Sequence, residues 1–240
     1  MDPRDAALQA ACPVLAAPRF GALPDMPNGQ RLIAGAGSLY VQIKLDWLDC
    51  IHCLTPAGLD MPLPYGEVGE RLNFSFGVLP IRLIESFIDA GRRGLPDEVA
   101  GALIYSRRTR ALRLAPCTPV RASPVRIDYR VPAMAADETL AVDLHTHGAG
   151  PAFWSADDDR DDRGIKVAGV LGRLDRPRPE AEFRLVLNGL FKPLRHPWER
   201  DVAGAANADL LADEPRWADA PGGLRRWLRQ LPTGVREWLR

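Results

Sequence analysis

The stretch that most constrains the fold is PIRLIESFIDAGRRG, residues 80–94. Ile81, Ile84, Phe87 and Ile88 fall at helical spacing, Pro80 opens the segment, and Gly91 or Gly94 is placed to stop it, the usual Pro-first and Gly-last asymmetry. The spacing predicts a helix over 80–93, set between two bodies of strand-forming sequence. Before it, SLYVQIKLDWLDCIHCL is rich in β-branched and aromatic residues, and RLNFSFGV (71–78) alternates apolar with polar side chains, so both read as half-buried strands of an N-terminal β layer. After it come EVAGALIYS (98–106), ALRLAP (111–116), VRIDYRVP (125–132) and LAVDLHTH (140–147), short strand candidates separated by turn residues. A second helix is expected from Ser155, followed by strands in IKVAGVLGRL and EFRLVLNGLF. Helix, strands, helix, strands is the order of an α+β or α/β sandwich.

The 240 residues are enough for one sizeable core plus extensions. Residues 1–36 are rich in Pro, Ala and Gly without a sustained period, and are expected to form an irregular arm. From about residue 199 the composition shifts to Ala, Asp, Arg and Trp, with Leu224, Trp227, Leu228 and Leu231 on one face of a short helix that Pro232 ends. The expected organisation is an N-terminal arm and β extension over 1–77, a central domain over 78–198, and a helical tail over 199–240.

Charge excludes some partners. Lys plus Arg (31) equals Asp plus Glu (31), so the whole-chain field offers no attraction to nucleic acid or to an anionic membrane. The N-terminus carries acids early and is broken by Pro13, which is not an export signal, and no apolar run approaches a membrane span. A cytoplasmic protein is expected, with Cys12, Cys50, Cys53 and Cys117 as reduced thiols. Cys50 and Cys53 form a C-x-x-C around His52, but no second pair follows at zinc-ribbon spacing and the flanks read as strand, so the pair is assigned no metal or redox role.

The stretch DLHTHGAGPAFWSADD (143–158) concentrates the polar chemistry. On a strand, His145 and His147 project from one face about 6.5–7 Å apart while Thr146 points away, with Asp143 on their side and Val142 and Leu144 on the other. Two neutral imidazoles and one carboxylate are a common zinc set that leaves a position for water. Such a site needs a base that is not itself a ligand. Ser155 and Asp158, three apart, share a helix face, and the same pair is also what a helix N-cap looks like.

H-x-H, seven residues, Ser, two residues, Asp is the spacing of HTHGAGPAFWSADD, and it resembles the signature of the JAMM metalloproteases, the MPN-plus or JAB domain. That family carries a glutamate well upstream, at the start of the strand after the first helix, often as P-x-E-x-x-G. Here LPDEVAGALIYS supplies Pro96, Glu98 and Gly101 in register. The resemblance covers roughly residues 78–195. It implies an α+β fold with a JAB/MPN-like central β-sheet flanked by helices, Zn2+ held by His145, His147 and Asp158, Glu98 as general base and acid on the water, and Ser155 bonding the developing oxyanion. It departs from the family in having Gly148 where Pro usually follows the second histidine, and Asp157 and Asp159 stand as rivals to Asp158, which the spacing favours. Should Glu98 not be the base, Asp143 is the next candidate.

The function implied is a zinc-dependent isopeptidase or peptidase that cleaves near the C-terminus of a ubiquitin-like or sulfur-carrier-like protein. The alternative is a non-catalytic MPN-type scaffold, a class that typically lacks one or more of the five residues present here. The layout most resembles protein A of the PRTRC cassette, a bacterial gene set with ParB-related and ThiF-related members, which implies a ThiF/E1-like enzyme as a second partner. Zinc nucleobase deamination requires P-C-x-x-C and H-x-E, and neither occurs. The acidic stretch 159–162 is expected to be solvated and unimportant to the site, and 107–140 is left open between a substrate clamp and an ordinary pair of strands.

Overall fold

The computed structural model describes residues 1–195, and the expected tail helix at 199–240 lies outside the described residues. Two units divide after Ser75. The first begins with α1 (Pro3–Ala11), whose first turn is capped by Asp2 and which has Pro3 at its start. Strands β1 (Val14–Ala16), β2 (Gly29–Ala34), β3 (Leu39–Lys44), β4 (Leu48–Cys53) and β5 (Arg71–Phe74) make one sheet in that order, with β1 and β2 parallel and the rest antiparallel. Residues 1–36 are therefore not the irregular arm expected from composition. Val14, Leu15 and Ala16 pair with Leu32, Ile33 and Ala34, and Ile33 is fully buried. The long strand-like stretch 38–54 resolves into two strands, folded back at Leu45–Leu48. Trp47 stacks on Phe74 beneath them with ring centroids 6.0 Å apart. His52 is buried with Nδ1 2.8 Å from Glu70, and Cys50 and Cys53 lie on the same strand without forming a disulfide.

The second unit starts with α2 (Ile81–Gly94), within a residue of the expected helix, and it buries Ile84, Phe87, Ile88 and Gly91. Then come β6 (Ala100–Ser106), β7 (Ala111–Pro116), β8 (Thr118–Ser123), β9 (Arg126–Arg130), β10 (Glu138–Thr146), α3 (Ala156–Asp161), β11 (Ile165–Gly172), β12 (Glu180–Leu187) and β13 (Leu190–Leu194). Six of these strands form one sheet in the order β13-β12-β11-β10-β6-β7, while β8 and β9 pair separately as a ribbon. Only β10 and β11 run parallel in the larger sheet. The fold is thus α+β, one of the two classes the order of periodicities allows and the one the resemblance implies. No helix among the described residues is long and apolar enough to cross a membrane.

The period of two on β6 assigns its faces. Gly101 faces α2 so closely that a Cβ there would stand 2.8 Å from the Phe87 ring. Ala100, Ala102 and Ile104 face the other way and pack with Ala115 and Cys117, over which Ile127 and Tyr129 of the ribbon lie. Helix and ribbon therefore cover opposite faces, and the functional residues emerge on the ribbon side. Replacing Gly101 by Val should lower the urea midpoint at unchanged slope by an amount equivalent to roughly 1–3 kcal/mol, the cost of overpacking. Phe87→Leu in that background should recover part of the loss.

Candidate metal centre

Strand β10 contributes the first half of the site. Val142 and Leu144 are fully buried, while Asp143 and His145 turn toward the ribbon face, opposite Ala102 and Ala100 of β6. Thr146 turns back: its Oγ1 accepts from the Val99 N–H at 2.9 Å, and its own N–H donates to the Val99 carbonyl at 2.9 Å. These two bonds pin the residue that follows Glu98. Continuing the antiparallel register by two places Glu98 opposite His147. His147 lies just past the strand end, where its N–H donates to the Leu171 carbonyl at 2.7 Å. Its ring Nδ1 lies 3.1 Å from the Pro151 carbonyl, which fixes the proton on Nδ1 and turns Nε2 toward His145.

Helix α3 contributes the other half through both readings of Ser155 and Asp158 at once. Ser155 is the N-cap, its Oγ accepting from the Asp158 N–H at 3.1 Å, while Asp158 Oδ2 accepts from the Ser155 N–H at 2.7 Å and from its hydroxyl at 2.6 Å. This capping box occupies Oδ2 and leaves Oδ1 toward the histidines. His145 Nε2 stands 3.2 Å from Asp158 Oδ1 and 3.3 Å from His147 Nε2, and His147 Nε2 is 4.0 Å from Asp158 Oδ2. Ligands about 2.0–2.1 Å from a tetrahedral ion are separated by about 3.3–3.4 Å, which the two separations from His145 match, while His147 and Asp158 stand wider apart. Among the described residues this is the group of three or more His, Cys, Asp or Glu side chains whose ligand atoms all lie within 4.8 Å of one another.

The electrostatics separate two carboxyls that share a cleft of about 560 Å³. Asp158 is held well below the usual range: burial opposes this, but the bond and charge of His145 and the two bonds from Ser155 outweigh it. Glu98 is only 6% exposed, and burial pushes its carboxyl up to about 7, with His145 pulling it down and Asp158 pushing it up. Burial and the neighbouring His145 lower His147 and keep its imidazole neutral, against the Pro151 carbonyl and Asp158. Phe153 packs edge-on against His147 at 4.8 Å between centroids, and Trp154 against His145 at 6.3 Å.

The rival acids lie elsewhere. Asp157 is exposed and pairs with Arg126 at 3.0 Å and with Arg160. Asp143 has both oxygens engaged, by the Tyr129 hydroxyl at 2.8 Å and the Lys166 ammonium at 2.6 Å. The expectation that 159–162 is solvated holds for Arg160 and Asp161, which are exposed, and fails at the two ends of the stretch. Asp162 is 8% exposed and pairs with Lys166 at 2.9 Å and Arg184 at 2.6 Å, while Asp159 bonds Arg184 at 2.6 Å. Sequence reasoning missed Lys166 and Arg184. The signal was a single cation inside the apolar run of each of two strands, IKVAGVLG and the FRLVL half of EAEFRLVL, since a cation taken out of water requires a partner. The segment 107–140 supplies the end of β6's hairpin and the β8–β9 ribbon, whose Val125, Arg126 and Tyr129 line the cleft.

Residues 80–186 match the family described as prokaryotic homologs of the JAB domain, and residues 2–75 match a domain of unknown function, DUF2016. The match supports the JAB/MPN family for the unit that carries the site. Among solved structures, that of protein DSY2949 from Desulfitobacterium hafniense, determined in solution, is 21% identical over 43% of this chain and 80% of that chain, with a TM-score of 0.34. No curated protein matches significantly.

The raised Glu98 carboxyl has a consequence for stability. A folded-state value of about 7 against an ordinary 4.5 means that the folded protein keeps a proton the unfolded chain releases. The stabilisation this gives is complete below about pH 4.3 and is lost as pH rises through 7. Glu98→Gln should therefore make the metal-free protein more stable than wild type at about pH 8, by up to about 3 kcal/mol from a shift of that size, with the gap closing toward pH 4.5. Thermal melts of both proteins across that pH range check it, and a gap that stays constant or widens on acidification contradicts the assigned burial.

Proposed function

We propose that the second unit is a zinc-dependent peptidase or isopeptidase that hydrolyses a bond near the C-terminus of a ubiquitin-like or sulfur-carrier-like protein. The observation that carries this reading is the convergence of the His145, His147 and Asp158 ligand atoms to within 4.8 Å of one another, with a buried non-ligand carboxyl, Glu98, lining the same cleft. Zinc held by the three would supply a Lewis acid that makes water nucleophilic near neutral pH. Glu98 takes a proton from the attacking water as its oxygen bonds the carbonyl carbon. It returns that proton to the amine as the C–N bond breaks, so the carboxylate is regenerated. Ser155 turns its hydroxyl from Asp158 to the carbonyl oxygen as negative charge develops there, while its backbone N–H keeps Asp158 Oδ2 bonded.

The layout of an N-terminal β unit followed by a JAB-like unit supports the narrower assignment to protein A of the PRTRC cassette, in the cytoplasm, with a ThiF/E1-like enzyme activating the protein that this one trims. Genes for a ubiquitin-like protein and a ThiF-like enzyme beside this one would be expected. The balanced charge favours protein over nucleic acid as the substrate class.

Native mass spectrometry after zinc supplementation should show about one zinc per chain, lost in His145→Ala and in Asp158→Ala; a wild type that stays metal-free ends the reading. Against a ubiquitin-like protein extended past its C-terminus by a peptide, Glu98→Gln should keep zinc and fold while cutting hydrolysis by at least about a hundredfold. Full activity in that variant would move the base elsewhere, and a wild type that binds zinc and the ubiquitin-like protein without cleaving it would make this unit a scaffold.

A further inference from the structure

The third metal-ligand candidate sits on a helix that lacks ordinary means of support. α3 has six residues and buries none of them, so it has no apolar face to dock. Isolated helices much shorter than about 12 residues do not persist in water. It also carries Asp157, Asp158, Asp159 and Asp161, whose charges repel one another. The capping box orders its first turn, and the remaining hold comes from the sheet.

Arg184 of β12 provides that hold. It is 4% exposed, and its Nη1 donates to Asp159 at 2.6 Å while Nε and Nη2 donate to Asp162 Oδ2 at 3.0 and 2.6 Å. The guanidinium thus grips the residue next to Asp158 and the residue that ends the helix, whose N–H in turn donates to the Asp158 carbonyl at 2.8 Å. Its Cζ lies over the rings of both Trp154 and Phe191, 3.9 Å from each centroid. The rings exclude water and fix the direction of the donor fork. Trp154 immediately precedes the cap residue and is the ring that backs His145.

We propose that Arg184 is a positioning residue of the metal centre, setting the separation of Asp158 from the histidines by clamping α3 through Asp159 and Asp162 and by backing His145 through Trp154. It touches neither substrate nor metal, and the proposal rests on the zinc reading above. Outer-shell partners that orient ligands commonly change metal affinity by 10–100-fold. Lysine cannot replace it, because a point charge neither bonds both acids in a fixed fork nor stacks on an aromatic face.

The test compares wild type with Arg184→Lys, Asp159→Asn and Asp161→Asn. Asp161→Asn removes the same charge from the same helix without touching the guanidinium grip. Zinc dissociation constants come from competition with a chelating dye, and amide hydrogen exchange over 155–162 is measured on metal-free protein. Arg184→Lys and Asp159→Asn should weaken zinc at least about tenfold and speed exchange in α3, while Asp161→Asn stays within about twofold on both. If Arg184→Lys does not fold, Asp159→Asn carries the comparison, because its side chain is 41% exposed and tolerates the change. Wild-type zinc affinity retained by Arg184→Lys and Asp159→Asn, or lost equally in Asp161→Asn, overturns the positioning role while leaving the zinc reading intact. A wild type that binds no zinc overturns both.

Discussion

The second unit depends on one half-buried cation, Lys166, whose side chain is 13% exposed. Burial alone would drive its ammonium below its ordinary value, but the carboxylates of Asp143 and Asp162 outweigh this and hold it above. Asp143 belongs to β10, Lys166 to β11 and Asp162 to the end of α3, so a single ammonium ties the histidine strand to the strand beside it and to the aspartate helix. Tyr129 extends the chain of bonds into the ribbon, and Arg184 extends it into β12. Ion pairs taken out of water are poor sources of net stability, yet removing one partner leaves an uncompensated charge and is severe. The network therefore contributes less to how stable the unit is than to which arrangement of α3 is allowed.

The topology explains why the histidines and the aspartate come in one stretch. β10 and β11 are the parallel pair of the sheet, and parallel neighbours cannot be joined by a tight turn. The chain must leave the C-terminal end of β10, cross, and re-enter at the start of β11, and residues 147–164 make that crossing with α3 inside it. Side chains at a parallel strand's C-terminal end and on the crossover that follows it meet over the same edge, where open α/β sheets commonly place their sites. Glu98 arrives there from a different direction, as the lead-in to β6, the antiparallel neighbour of β10. Its distance in sequence from His145 is simply the length of the hairpin and ribbon between β6 and β10.

Much of this was legible in the chain, for reasons that differ by element. α2 was readable because a strong 3.6-residue period, an initial Pro and a final Gly agree. β10 was readable because polar and apolar residues alternate over a buried sheet. The N-terminal segment was misread because α1 buries nothing and so shows no periodic apolar face, although Asp2-Pro3 is a fair start signal. β8 was missed because all but its last residue is exposed and it contains Pro119, so no pattern of burial marks it. EFRLVLNGLF read as one strand, yet Asn188 and Gly189 both take positive φ (50° and 90°), and the chain turns there between β12 and β13. Asn-Gly between apolar runs is itself a strong hairpin signal. The acid run 159–162 was misjudged because local composition reports charge and not what lies opposite it, and its partners Lys166 and Arg184 come from two other strands.

The site's acid–base logic follows from where its two carboxyls sit. Asp158 accepts two bonds from Ser155 and faces His145, so its charged form is favoured despite burial, as a metal ligand's must be. Glu98 is more deeply buried, and among the described residues no comparable set of donors surrounds it, so its neutral form is favoured until about neutral pH. Environments that push two neighbouring carboxyls in opposite directions separate a group that stays ionised from one that can exchange a proton. The same separation ties chemistry to folding. Ser155 stabilises the start of α3 with the hydroxyl that fixes Asp158, so the capping reading and the functional reading of this pair are one interaction seen from the helix and from the cleft.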